Sequence, residues 1–217
     1  MVRDCCDSKS GELAELHARQ GRVLWAVLVT NAAMFIIEAV GGFVAGSTAL
    51  MADSLDMFGD ASVYALTLWV LHRGPVWRSR AALVKGAIMA LFGVGVLVEA
   101  VVRFSSGAVP AAHAMGAIGT LALAANLTCL VLLFRHRGDD LNLRSTWICS
   151  RNDIIANVGV LAAAGAVGLL GASWPDLLVG GLIALLFLRS AVSITADSVR
   201  ELRSAGGGAH LSDDGCG

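Results

Sequence analysis

Long blocks of Leu, Ala, Val, Ile and Gly alternate with short polar segments along this chain. The blocks at about 23–46, 48–71, 81–104, 112–134, 143–170 and 176–197 are each long enough to cross a bilayer core, which needs about 20 residues as a helix. Six transmembrane helices are therefore predicted. The first is not a cleavable signal, because a polar segment of 22 residues precedes it and its apolar run exceeds a signal h-region. Lys and Arg of the connecting segments are one-sided. Arg3, Lys9, Arg19 and Arg22 precede the first helix, and Arg73, Arg78 and Arg80 lie between the second and third. Arg135, Arg137 and Arg144 lie between the fourth and fifth, and Arg200 and Arg203 follow the sixth. The other connections, Gly46-Ser47, Ser105–Ala111 and Gly171–Pro175, hold none, so the positive-inside rule places both termini in the cytoplasm.

Composition narrows the class. The 217 residues are 56% hydrophobic and 15% charged, with a mean hydropathy of +0.72, well beyond a soluble domain. The apolar blocks are too long for the alternating strands of a β-barrel, which leaves an all-α integral membrane protein of two three-helix halves. A net charge of −1 without a long basic run excludes nucleic acid as a partner. Three segments are expected: a cytoplasmic N-terminal stretch over 1–22, a six-helix transport domain over 23–198 and a short flexible cytoplasmic tail over 199–217. Within the first, residues 10–22 are expected to start a short amphipathic helix leading into the membrane, its face at the headgroups. The five cysteines, Cys5, Cys6, Cys129, Cys149 and Cys216, fall in the cytoplasm or the membrane, so free thiols are expected.

Charged residues inside a span cost at least ~2.5–3.5 kcal/mol each and need a partner, a cavity or a role. The second helix carries Asp53, Asp56 and Asp60 at i, i+3 and i+7, one stripe down one face. Three carboxylates a turn apart repel, and a divalent cation would let at least two of them stay ionised. On the fifth helix Cys149, Asp153 and Asn157 follow at i, i+4 and i+8. At 1.5 Å per residue, Asp56 and Asp60 lie roughly 12–18 Å from the outer end of their helix, and Cys149 and Asp153 roughly 9–15 Å from the cytoplasmic end of theirs. The levels overlap. Asp56, Asp60, Cys149 and Asp153 thus make a tetrahedral set of three oxygens and one sulfur, natural to Zn²⁺. Asp53 and Asn157 are expected as accessory residues at the outer mouth and along the pathway, and Cys5 and Cys6 as thiols that capture soft metal. The middle helix of each half bears an i, i+4 pair, and inverted halves of this kind commonly hold a transport site between them.

These residues resemble the cation diffusion facilitator (cation efflux) family, the proton-coupled exporters of Zn²⁺ and related divalent metals. The resemblance rests on Asn31-Ala-Ala-Met-Phe-Ile-Ile-Glu38, on Gly46-Ser-Thr-Ala-Leu-Met-Ala-Asp53-Ser-Leu-Asp56 with Asp60, on Asp153 to Asn157 and on Trp174-Pro-Asp176, and covers about residues 20–203. It implies that the His/Asp-x-x-x-Asp pairs of the second and fifth helices fall on Asp56/Asp60 and Cys149/Asp153. Cysteine stands where histidine is common. The resemblance also implies a homodimer, formed here through transmembrane contacts, since the sequence has the look of a short form without the family's cytoplasmic C-terminal domain. The His-rich loop between helices four and five is replaced by Arg135-His-Arg-Gly-Asp-Asp140.

The expected function is export of Zn²⁺ or Cd²⁺ from the cytoplasm across the inner membrane in exchange for protons, by a secondary transporter without a cofactor. Other readings are weaker. Interhelical pairing of the aspartates with Lys85, Arg151 or Arg189 leaves the stripe unexplained. A Mg²⁺-dependent lipid phosphotransferase would need Asp-Gly and Ala-Arg motifs, but Met57 follows Asp56 and no Arg lies between 23 and 72. A proton-coupled organic-cation exporter would need an aromatic pocket, at odds with 6% aromatic content. Asn31 and Glu38 are expected to hydrogen-bond across helices, Cys129 to pack, and Arg103 to snorkel outward.

Overall fold

A computed structural model describes the backbone of residues 2–70, 75–136 and 143–208, with side chains over 22–66, 68, 77, 79–135 and 153–203. Six helices follow one another: α1 (Val2–Ala45), α2 (Thr48–Val70), α3 (Pro75–Ser106), α4 (Ala112–His136), α5 (Leu143–Leu170) and α6 (Trp174–Gly208). No strand occurs among the described residues. The all-α architecture matches the hydropathy pattern.

The burial pattern is inverted relative to a protein dissolved in water. Leu169 is 89% exposed, Val44 80% and Phe104 75%, whereas Glu38 and Asp53 are fully enclosed. Lipid is the solvent that makes such a surface stable. Five helices are long and apolar enough to cross a membrane, namely Arg22–Ala45 of α1, Ser79–Ser106 of α3, Ala112–Arg135 of α4, Asp153–Leu170 of α5 and Trp174–Arg203 of α6. α2 carries three aspartates in its 23 residues, too many charges for it to join them.

Three helices extend past the expected spans. α1 is continuous from Val2, so the helix expected over 10–22 leads without a break into the first span, Arg22–Ala45. α3 starts at Pro75, whose fixed φ and missing N–H suit a first helical turn. α6 runs on to Gly208, into the stretch expected to be a flexible tail, of which residues 209–217 lie outside the described residues. Cys216 lies there too. The two-residue link between α1 and α2 is closed by Gly46 at φ 72°, where a side chain would strain the backbone. Ser47 N donates to Gly42 O at 2.8 Å and Gly46 N to Phe43 O at 3.3 Å, completing the cap. Gly107 and Gly171 end α3 and α5 in the same left-handed conformation at the same end of the bundle.

Packing interlocks the two sequence halves. α1 lies on α2 and α4, α3 on α6, and α4 on α5, while α2 touches every other helix. The main core gathers Leu50, Met115, Val160, Ala184 and Phe187 around α2. Phe35, Phe58 and Phe92 of α1, α2 and α3 form a ring cluster with centroids 5.3–6.2 Å apart. Arg103 departs from expectation. It pairs with Glu99 at 2.9 Å and reaches Phe43 O at 3.5 Å, folding over the α1–α2 link rather than outward, drawn by the partial negative charge of the helix end.

Candidate metal transport site

The stripe of aspartates is placed by how α2 begins. The first N–H groups of a helix lack partners within it and carry partial positive charge. Asp176, at the start of α6, supplies a carboxylate. Its Oδ2 accepts Thr48 N at 2.7 Å and its Oδ1 accepts Ala49 N at 3.1 Å and the Ser47 hydroxyl at 2.6 Å. Ser47 Oγ in turn accepts Leu50 N at 3.1 Å. The approach is possible because residue 180, one turn further along α6, is Gly: a Cβ there would meet Thr48 C at 2.6 Å and Ala49 N at 2.7 Å. Asp176 was noted in the sequence only as part of a resemblance. Its capping role pairs residues 128 positions apart, which spacing does not reveal.

α2 then runs antiparallel to α5, and their register is visible at one bond. Asn157 Nδ2 donates to Asp53 Oδ1 at 3.4 Å and to Asp153 O at 3.0 Å. Moving one and two turns deeper from the Asp53–Asn157 level brings Asp153 to a height between Asp56 and Asp60, and the backbone of Cys149 to the height of Asp60. The four residues expected to ligate metal thus occupy adjacent levels on facing helices. Asp53 is fully buried, while Asp56, Asp60 and Asp153 are half-buried. Among the described residues, no three His, Cys, Asp or Glu side chains converge closely enough to hold an ion. The side chains of Cys149 and Arg151 lie outside the described residues, as do those of Cys5 and Cys6, so the full set is not seen together. Lys85 of α3 donates to Gly59 O at 3.2 Å, beside Asp60.

Asp53 belongs to a second polar cluster. Glu38 of α1 and Asp53 of α2 are both fully enclosed where these two helices pack, and their carboxyls interact. Glu38 Oε1 and Oε2, Asp53 Oδ2 and Asn157 Oδ1 are all buried and accept no hydrogen bond from any described donor. Glu38 thus reaches a neighbouring helix, as expected, but meets a carboxyl there instead of a donor. Asn31 behaves as expected, with Nδ2 bonded to Val27 O at 2.9 Å and to Cys129 Sγ on α4 at 3.7 Å. Cys129 is a buried free thiol in the packing between these helices.

A bundle of lipid-facing helices around an acidic stripe is the architecture of a membrane transporter. The family model for the cation efflux transmembrane domain matches residues 24–203, and the chain belongs to that family as a multi-pass membrane protein. A protein named cadmium, cobalt and zinc/H(+)-K(+) antiporter, from Bacillus subtilis (strain 168), is 31% identical over 197 residues, or 83% of this chain and 63% of the relative. Zinc transporter ZitB of Escherichia coli (strain K12) is 32% identical over 196 residues, 83% of this chain and 62% of the relative. The metal cation efflux system protein CzcD of Cupriavidus metallidurans is 27% identical over 197 residues, 82% of this chain and 62% of the relative. The chain spans a little under two thirds of the length of these relatives.

Proposed function

We propose that this protein exports divalent metal cations, Zn²⁺ and Cd²⁺ foremost, from the cytoplasm in exchange for protons. The observation that carries the reading is the acidic face of α2 held in register with Asp153 and Cys149 on α5, in a chain of the cation efflux family. Asp56, Asp60, Asp153 and the thiolate of Cys149 are the ligands. One sulfur among three oxygens favours borderline and soft ions over Mg²⁺, Ca²⁺ or Mn²⁺. The names of relatives include zinc, cadmium and cobalt, in keeping with that donor set. Carboxylates and a thiol must give up protons to bind metal and release it on reprotonation, which makes exchange for protons the natural coupling. Rocking of helices around the fixed site would expose it alternately to the two sides. The protein acts in the inner membrane with both termini cytoplasmic, as a homodimer.

Reconstitution into vesicles with an inward Zn²⁺ or Cd²⁺ gradient and a pH-sensitive dye tests the reading. Metal uptake with counterflow of protons is expected. Absence of uptake for either ion, or uptake that moves no protons, would contradict it.

A further inference from the structure

The pocket formed by Glu38, Asp53 and Asn157 lies apart from the four proposed ligands. Asp53 is five residues past the start of α2 and Glu38 eight before the Gly46 link, so the pocket sits roughly 8–12 Å below that end of the bundle by helical rise. Its walls come from three helices. Glu38 and Asp53 are completely enclosed and Asn157 is 1% exposed. Four buried oxygens there, two of Glu38 and one each of Asp53 and Asn157, lack a donor among the described residues. Unpartnered buried acceptors are costly, and two bare carboxylates in contact are costlier.

Something positive must therefore enter. Ca²⁺ would require about six to eight oxygen ligands and Mg²⁺ a near-ideal octahedron, whereas the pocket offers four unpartnered oxygens on three side chains. A proton needs only two facing carboxyls. Among the described residues the charges that act on the pair are negative: Asp56 on α2 acts on Glu38 and Asp153 on α5 acts on Asp53. Lys85 of α3 is directed to Gly59 O, and Asp176 of α6 caps α2. α4 carries no acidic or basic residue between Met115 and Leu133.

We propose that Glu38 and Asp53 hold one shared proton and form a proton-binding site separate from the metal ligands. The proton bridges the two carboxyls, leaving the pair with one negative charge. When the divalent ion arrives at the α2–α5 ligands, its charge repels that proton, which departs to water and leaves the pair doubly negative. When the metal leaves, the pair takes a proton back. Linkage makes the effect reciprocal, so a protonated pair weakens metal binding. Asn157 positions Asp53 and spans the two sites through its bond to Asp153 O.

This rests on the proton-coupled reading above, and the test separates the two. Protons released per Zn²⁺ bound are counted with an indicator dye on the full chain in lightly buffered detergent. Glu38→Gln and Asp53→Asn are each expected to bind Zn²⁺ while releasing one proton fewer than the parent. The double variant should also lose only one, because the proton is shared. Infrared difference spectra of the parent protein should show a protonated carboxylic acid that disappears on Zn²⁺ binding. Replacing K⁺ by choline should change nothing. No proton release by the parent would overturn the coupled reading itself. Parent release with an undiminished count in Glu38→Gln would overturn this inference alone. If neither variant folds, absence of the carboxylic-acid band in the parent overturns it, as does a K⁺ requirement for the change, which would assign the pocket to an alkali ion.

Discussion

The Asp176 carboxylate at the start of α6 accepts the Thr48 N–H at the start of α2 at 2.7 Å, so the helix bearing the acidic stripe is hung from the last helix of the chain. With Ser47 and Ala49 also bonded to it, one side chain fixes where α2 begins and therefore the height of every aspartate below. Charge-assisted hydrogen bonds of this type contribute about 1.5–3 kcal/mol each. Asp176→Ala should lower stability by about 2–3 kcal/mol after partial relaxation, read as an earlier thermal transition in detergent. A variant as stable as the parent would show that the cap does not hold α2.

Gly180 should tolerate no side chain. The two nearest atoms that a Cβ would meet belong to the backbone of Thr48 and Ala49, which cannot swing aside as a side chain end can. Gly180→Ala is expected to cost about 1–3 kcal/mol, the range for overpacking, and Gly180→Leu to prevent assembly of the bundle. Expression and monodispersity by size exclusion report both.

Asp56, Asp60 and Asp153 should be individually indispensable for metal uptake. Each Asn replacement removes a formal charge that balances the cation away from bulk water. Uptake by each variant should fall below about a tenth of the parent, one factor of ten corresponding to about 1.4 kcal/mol of lost binding. Retention of two thirds of the rate by any of the three would remove that residue from the ligand set.

The thiol should set the pH profile. A free thiol titrates near 8.5 and an imidazole near 6.5. Protons should therefore compete with Cd²⁺ at a higher pH in the parent than in Cys149→His. Cd²⁺ affinity of the parent is expected to keep rising above pH 7, while that of Cys149→His levels off about two units lower and shifts in preference toward Zn²⁺. Cys149→Ala should weaken both metals. Calorimetric titrations across pH 6–9 measure these curves, and superimposable profiles for parent and Cys149→His would exclude the thiol as a ligand.

Hydropathy located the membrane-crossing parts well because lipid demands long apolar runs, and the expected fifth span, 143–170, coincides with α5. It did not locate helix ends outside the membrane. Continuation of α1 back to Val2 and of α6 to Gly208 depends on backbone hydrogen bonding in polar sequence, to which hydropathy is blind. The aspartate stripe was legible because i, i+3 and i+7 lie on one face of any helix. Asp176 and Glu38 were harder. What each does depends on a residue of α2 brought near by the fold, and their signal in the sequence was only that a charge stood where lipid should exclude it. Ser47 stands directly before α2, a residue type suited to a cap, but nothing in its position names Asp176 as the second group that completes it.

The three aspartates also bear on how the chain enters the bilayer. At ~2.5–3.5 kcal/mol per charged residue on insertion scales, Asp53, Asp56 and Asp60 together disfavour partition of α2 as a solitary segment during synthesis. Only the two residues Gly46 and Ser47 separate it from α1, an apolar helix that packs along its length. Insertion of α1 and α2 together as a hairpin would offset that cost, with α5, made almost a hundred residues later, completing the polar face. Through that interval the nascent chain carries an unfinished polar surface in the membrane, and the fidelity of its topology depends on the tightness of a two-residue link.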